Sequence, residues 1–179
     1  MGAGRVFWFF GLSGSGKTTL TTALAGLLRE KGHAVLRVDG DELRSGLCKG
    51  LGFSDAARTE NIRRAAEVAR LAVNQGQVVL MAFITPREDL RQLVREIVGE
   101  GRVDFVWVDA PLEVCRQRDP KGLYRKSAAG GLPLFTGVDS AFEPPAVTEL
   151  HLNTAVGGVE KSLRELAGYC ERRLGEAFL

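Results

Sequence analysis

Residues 11–18, Gly11-Leu12-Ser13-Gly14-Ser15-Gly16-Lys17-Thr18, set glycines, a lysine and a hydroxyl in the order G-x-x-x-x-G-K-[ST]. That spacing binds phosphate. Glycines let successive backbone N–H groups turn toward one anion. A following helix N-terminus adds partial positive charge, a lysine reaches the terminal phosphates, and a hydroxyl ligates Mg²⁺. The flanks suit the motif: an apolar run, Val6–Phe10, precedes it, and Leu20, Ala23, Leu24, Leu27 and Leu28 follow at helical spacing. Gly11, Ser13, Gly14, Ser15, Gly16, Lys17, Thr18 and Thr19 are therefore the expected contacts for a nucleoside triphosphate such as ATP.

A second group lies downstream. Asp39-Gly40-Asp41 ends a predicted strand, and Arg44, Lys49, Arg58, Arg63 and Arg64 follow. Carboxylates at a strand end facing a phosphate loop hold Mg²⁺ or orient an attacking hydroxyl. Arginines nearby clamp an anionic acceptor through paired contacts. Farther on, Arg116, Arg118, Lys121, Arg125 and Lys126 stand against Asp119 alone, a basic cluster in a chain whose net charge is only +2. Beside polyphosphate ligands such a cluster neutralises transition-state charge.

The elements that must position these residues alternate strand and helix. Strands are predicted at Val6–Phe10, Ala34–Val38, Gln77–Ile84, Phe105–Val108 and Leu150–Asn153. Helices are predicted at Lys17–Lys31, Arg58–Gln75, Glu88–Val98, a short stretch through Arg118, and Gly158–Phe178. Residues 119–148 hold four of the six prolines and show no period, so they read as a long loop; the lid is taken as about 116–148. This order predicts an α/β protein, a three-layer P-loop NTPase fold of the nucleotide-kinase-like kind, with a roughly five-stranded parallel sheet and a lid loop in a single domain spanning 1–179. Ligands then collect at the strands' carboxyl ends, at Gly11–Thr18, Asp39 and Asp41, Thr85-Pro86 and Asp109.

Composition narrows the classes. The 179 residues are 45% hydrophobic and 26% charged, with 24 Lys+Arg against 22 Asp+Glu. A near-neutral balance excludes a general polyanion coat, so no nucleic acid partner is expected. No apolar run approaches the roughly 18 residues of a membrane span, and the start of the chain lacks a signal-peptide cleavage pattern. Met1 stands five residues ahead of the first strand, which reads as a stand-alone enzyme. Three scattered cysteines, Cys48, Cys115 and Cys170, form no Cys-x-x-Cys pair, which fits a reducing cytoplasm. Base-reading and switch motifs of GTPases are missing, as is the apolar strand ending in Asp-Glu of motor ATPases.

Several longer segments resemble the adenylylsulfate (APS) kinase family. They are Asp39-Gly40-Asp41-Glu42-Leu43-Arg44, Leu51-Gly52-Phe53-Ser54-Asp55, Arg58-Thr59-Glu60-Asn61-Ile62-Arg63-Arg64, Phe83-Ile84-Thr85-Pro86, Arg118-Asp119-Pro120-Lys121-Gly122-Leu123-Tyr124 and Phe135-Thr136-Gly137-Val138-Asp139. The resemblance runs from about residue 5 to 143. It implies transfer of the ATP γ-phosphate to the 3′-hydroxyl of APS, giving PAPS and ADP, with Mg²⁺ held by Thr18 and Asp39. It gives Asp39, Lys17 and Thr85 catalytic roles. Asp41, Arg44, Phe53, Arg58, Asn61, Ile84, Lys121 and Phe135 would bind the acceptor, with Phe53 and Phe135 on either face of its adenine. Arg118 would close over ATP. The family also implies a homodimer.

Departures from the family pattern gather in the acceptor half and the lid: Glu42, Ser45, Thr85, the Arg87-Glu88-Asp89-Leu90-Arg91 run, Ser127-Ala128-Ala129 and Glu143-Pro144-Pro145. Two alternatives share the phosphate loop: a related kinase with another nucleotide-like acceptor, and a nucleotide-dependent binding module without turnover. Lys17, Thr18 and Asp39 standing together argue against the second.

Overall fold

The computed structural model describes residues 4–131, 136–138 and 140–175. Five strands, β1 (Arg5–Phe10), β2 (Val35–Asp39), β3 (Val78–Ala82), β4 (Val103–Asp109) and β5 (Leu150–Asn153), form one sheet in the order β2-β3-β1-β4-β5. All pairings are parallel. The helices are α1 (Lys17–Glu30), α2 (Gly40–Ser45), α3 (Asp55–Asn74), α4 (Glu88–Val98), α5 (Leu112–Arg118), α6 (Leu123–Ala128) and α7 (Gly158–Leu174).

The apolar run at the start of the chain shows why the sheet sits in the middle layer. Val6, Trp8 and Phe10 point into one core with Ile62, Ala65, Ala69 and Val94 from α3 and α4. Phe7 and Phe9 point into the other with Leu20, Leu24 and Leu28 of α1 and Leu166 of α7. A strand covered on both faces needs no polar alternation, and β1 is completely buried from Val6 onward. The chain passes from one side of β1 to the other between β3 and β4, which opens a crevice at the carboxyl end of β1.

The predicted strands and helices all form, with shifted ends. The second strand takes in Asp39, so that carboxylate leaves the sheet with fixed direction. The third helix starts at Asp55, where Ser54 caps it by accepting from the Ala57 N–H at 3.3 Å; Arg58 thus lies inside its first turns. Two short helices are additions to the sequence reading. α2 follows Asp39 directly, and α6 breaks the loop predicted over 119–148. Neither is long enough to show a helical period, but α2 carries a capping box: Asp39 accepts from the Asp41 N–H at 3.0 Å and the Glu42 carboxylate accepts from the Asp39 N–H at 3.3 Å. Of the last predicted helix, residues 176–178 lie outside the described residues.

At the opposite end of the sheet, Asp104 is 1% exposed and accepts from Arg5 Nη1 at 2.8 Å and from Arg173 Nε and Nη2 at 3.0 and 2.6 Å. One carboxylate therefore joins β1, β4 and α7. Asp104→Ala is expected to cost about 3 kcal/mol, the low end for breaking a buried ion pair because both arginines keep contact with water. Denaturant unfolding checks this, and KM values should stay unchanged because the site lies at the other end of the strands.

Candidate active site

The phosphate loop bridges β1 and α1. Gly11 has φ +145°, and a Cβ there would fall 2.2 Å from the Val108 carbonyl oxygen. Gly14, at φ +78°, would meet the Cys115 carbonyl at 2.9 Å. The loop is thus pressed against β4 and α5 more closely than any side chain permits. Three side chains hold its carbonyls from outside: Tyr124 Oη donates to Ser13 at 2.9 Å, Thr154 Oγ1 to Ser15 at 2.7 Å and Arg118 Nη1 to Gly14 at 3.3 Å. Within the loop the Ser15 N–H donates to the Leu12 carbonyl, and the Gly11 N–H to the Ile84 carbonyl, each at 3.2 Å.

Lys17 Nζ curls over the loop and donates to the Gly11 and Leu12 carbonyls at 2.9 and 2.7 Å. Burial lowers its pKa to about 8, with Asp39 pulling in the opposite direction. Next to it, Thr18 Oγ1 donates to Asp39 Oδ2 at 2.6 Å. Asp39 is 7% exposed. Asp41, two residues on, is paired with Lys121 from the lid, whose Nζ also lies 4.0 Å from Asp39 Oδ1. Burial opposes the charge on Lys121, but the hydrogen bond to Asp41 and the field of Asp39 outweigh it and raise its pKa.

From there the wall continues into the acceptor half. The Arg44 guanidinium lies over the Phe53 ring, 4.5 Å from its centroid, and donates through Nη1 to the Leu51 and Gly52 carbonyls at 3.1 Å each. Arg58 Nε donates to the Phe53 carbonyl at 2.9 Å. Burial lowers the pKa of both arginines. Phe53 is 38% exposed, an aromatic face turned to the opening rather than the core. Asn61, on α3, is 5% exposed, and its Oδ1 has no hydrogen-bond partner among the described residues. A buried amide left unpaired in a cavity wall is a ligand contact in waiting.

Lys17, Thr18, Asp39, Asp41, Lys121, Arg44, Phe53, Arg58 and Asn61 line one cavity of about 630 Å³, together with Ile84, Thr85, Arg118 and Thr154. That volume suits small-molecule ligands. Its charged lining is Lys17, Arg44, Arg58, Arg118 and Lys121 against Asp39 and Asp41, a field for polyanions. The structure so brings Ser13, Gly14, Gly16, Lys17, Thr18, Thr19, Asp39, Asp41, Arg44, Phe53, Arg58, Asn61, Ile84, Lys121 and Arg118 together around one cavity. Gly11 and Ser15 act from behind, through the backbone. Phe135 lies outside the described residues.

Thr85 lines the cavity and is held from behind. The residue is 1% exposed, its Oγ1 accepts from Trp8 Nε1 at 2.9 Å, and its carbonyl accepts from Arg91 Nη1 at 3.1 Å. Its φ of +41° is a left-handed conformation that β-branched residues rarely adopt. These contacts make it a fixed corner that sets the directions of Ile84 and Pro86. Asp109, a strand-end candidate, faces His151 at 3.1 Å and does not line the cavity. Sequence reasoning missed Thr154, which receives Arg118 Nη2 on its carbonyl at 2.8 Å; its place just past β5 was the available signal. It also missed Tyr124, which carries no chemical signature of its own.

The comparisons fit this geometry. Residues 3–153 match the family model for adenylylsulphate kinase. The adenylyl-sulfate kinase of Escherichia coli is 57% identical over 150 residues, covering 84% of this chain and 75% of the relative. The chain belongs to the adenylylsulphate kinase family. It is an enzyme, a kinase. Its fold superposes on a solved structure of the Mycobacterium tuberculosis APS kinase CysC in complex with AMPPNP and APS, with a TM-score of 0.91 at 39% identity, covering 96% of this chain and 99% of that one. A hexameric APS kinase from Thiobacillus denitrificans matches at a TM-score of 0.71 and 26% identity, over 98% of this chain and 30% of the other.

The Lys17 ammonium must be charged to meet phosphate, and its pKa of about 8 leaves it partly neutral in mildly alkaline solution. ATP affinity is therefore expected to fall as pH rises through that value, since deprotonation removes the attraction. Calorimetric titration one unit either side should show the drop. In Lys17→Met, which binds weakly throughout, the pH dependence should vanish.

Proposed function

We propose that this single cavity holds ATP over the phosphate loop and APS against Arg44, Phe53, Arg58 and Asn61, with Asp39 at the point where the two meet. The observation that carries this reading is the position of Asp39: bonded to the phosphate-loop hydroxyl on one side and continuous with the acceptor wall on the other. The reaction is phosphorylation of the APS 3′-hydroxyl. The acceptor oxygen forms a bond to the γ-phosphorus as the bond from that phosphorus to the bridging oxygen of ADP breaks, and the hydroxyl proton passes to the Asp39 carboxylate. Little covalent work is asked of the protein, so positioning and charge supply the rate. Thr85 stays a positioning residue in this scheme, since direct transfer needs no phosphorylated side chain.

Two hard oxygen donors, Thr18 Oγ1 and the Asp39 carboxylate, stand together at the phosphate end. Among the described residues no group of three or more His, Cys, Asp or Glu is placed to hold a metal. That donor set fits Mg²⁺, which takes one or two protein ligands and completes its shell with phosphate and water. When bound there it neutralises charge shared between the terminal phosphates. Lys17 and Arg118 add positive charge from the chain itself. Arg44 and Arg58 suit the phosphosulfate anion, and the open face of Phe53 suits an adenine, a stack of ~1–3 kcal/mol.

The family resemblance supports a homodimer, and the free, buried Cys48, Cys115 and Cys170 support a cytoplasmic setting. Among the described residues no helix is long and apolar enough to cross a membrane. Light scattering is expected to give twice the mass of one chain; a sixfold mass would place it with the hexameric relative instead.

Two substitutions separate the halves of the site. Asp39→Ala should lower kcat for PAPS formation by at least about a thousandfold while ATP binding persists. Arg58→Ala should raise KM for APS roughly a hundredfold with KM for ATP within a few fold. Coupled measurement of ADP and PAPS checks both; ADP released at equal rates with and without APS would defeat the acceptor assignment.

A further inference from the structure

The base of the lid grips the phosphate loop through a buried phenol. Tyr124, on α6, is 6% exposed, and its Oη donates to the Ser13 carbonyl at 2.9 Å. Burial pushes the phenol pKa up, so the hydroxyl stays protonated and serves as a donor at any ordinary pH. Its ring is buried with Ala110 and Cys115 in a small apolar cluster, set apart from the two cores beside the sheet. Leu112 and Leu123 pack against that cluster, and so does Leu12 of the phosphate loop itself. α6 is tied to the end of α5 in turn, because the Asp119 carboxylate accepts from the Tyr124 N–H at 3.1 Å and from the Arg125 N–H at 3.2 Å. The phosphate loop, α5 and α6 are thereby packed as one body.

The bond to Ser13 fixes more than a carbonyl. A trans peptide is planar, with its C=O and N–H pointing in opposite directions, so turning the Ser13 carbonyl toward α6 turns the Gly14 N–H away from it. Gly14 lines the cavity, and its N–H takes part in no hydrogen bond among the described residues. One residue on, the Ser15 N–H donates to the Leu12 carbonyl instead. Gly14 has no side chain to resist rotation of the peptide before it, so that orientation has to be held from outside. Tyr124 does not itself line the cavity; what it does there it does through the loop.

The geometry points to Tyr124 as a positioning residue for ATP, whose hydroxyl holds the peptide between Ser13 and Gly14 in the orientation that offers the Gly14 N–H to a phosphate oxygen. A donor already aimed in the free protein spares the ligand the cost of ordering it. A loop that keeps this orientation in only about a tenth of the molecules binds ATP roughly tenfold more weakly. Once bound, the phosphate itself holds the peptide, so the rate at saturating ATP does not depend on the phenol. The inference rests on the reading of the loop as the ATP site.

Tyr124→Phe removes the hydroxyl and keeps the ring that packs in the apolar cluster, so the variant folds. Its calorimetric Kd for ATP, measured without APS, is expected to rise roughly tenfold, and the Tm increase on adding ATP should shrink. At saturating ATP, kcat should stay within about twofold of the wild type, and KM for APS should be unchanged. A purely structural tyrosine would give a lowered Tm of the free protein with an unchanged Kd for ATP, and that result would overturn the proposal. So would a fall in kcat with Kd for ATP unchanged, or a rise in KM for APS alone. A wild type whose Tm does not respond to ATP would overturn the reading of the loop as the ATP site, and this proposal with it.

Discussion

A phosphoryl transfer between two nucleotides must bring polyanions to bonding distance, and the bond from Thr18 to Asp39 is where this chain meets that constraint. It joins the first residues of α1, which follows β1, to the last residue of β2, a strand separated from β1 in the sheet by β3. Asp39 is held from behind as well, because its backbone and side chain both take part in the capping box that starts α2. The direction of α2 then decides where Arg44 lies, and Arg44 lies over Phe53. One buried carboxylate thereby sets the register between the phosphate end and the acceptor end. Moving it by a turn would misplace both.

The surrounding charge follows from the same constraint. Two anionic ligands repel, and the cavity answers with a cationic excess drawn from four separate places: the loop, α2, α3 and the lid. These cations have partners within the chain. Lys121 is paired with Asp41, Arg118 with Thr154 and the Gly14 carbonyl, and Lys17 with two loop carbonyls. Ligand binding is therefore an exchange of partners rather than the filling of empty valences. Such an exchange costs little per contact, and it couples lid position to occupancy because Lys121 cannot serve Asp41 and a ligand anion with the same geometry.

The parts of this arrangement that were legible in the sequence are those written in local patterns. The phosphate loop announces itself in eight adjacent residues, and β1 in an unbroken apolar run that only a strand buried on both faces requires. α4 has the amphipathic spacing that places its ends correctly. What escaped has a different physical origin. α2 and α6 are six residues each, too short for periodicity, and α2 could be seen only through its capping box. Thr85 has a catalytic role only by the family resemblance, and sequence carries no information about Trp8, 77 positions away, donating to it. Thr154 and Tyr124 hold the phosphate loop from 139 and 111 residues away. Long-range contacts of this kind are products of topology.

The two ends of the cavity differ in how they are built, and that difference bears on how each tolerates change. The phosphate-loop end is made mostly of main chain, with loop carbonyls held by Tyr124, Thr154 and Arg118. A substitution there must respect backbone approaches as close as that of Gly11 to Val108, and most side chains cannot. The other end is made of side chains: Arg44 on α2, Phe53 on the turn before α3, and Arg58 and Asn61 on α3. Changing one of these alters what is recognised without disturbing the sheet. It follows that departures from the family pattern can accumulate in the acceptor half and lid while the phosphate loop stays whole, and that reaction type is fixed more firmly by this architecture than acceptor affinity.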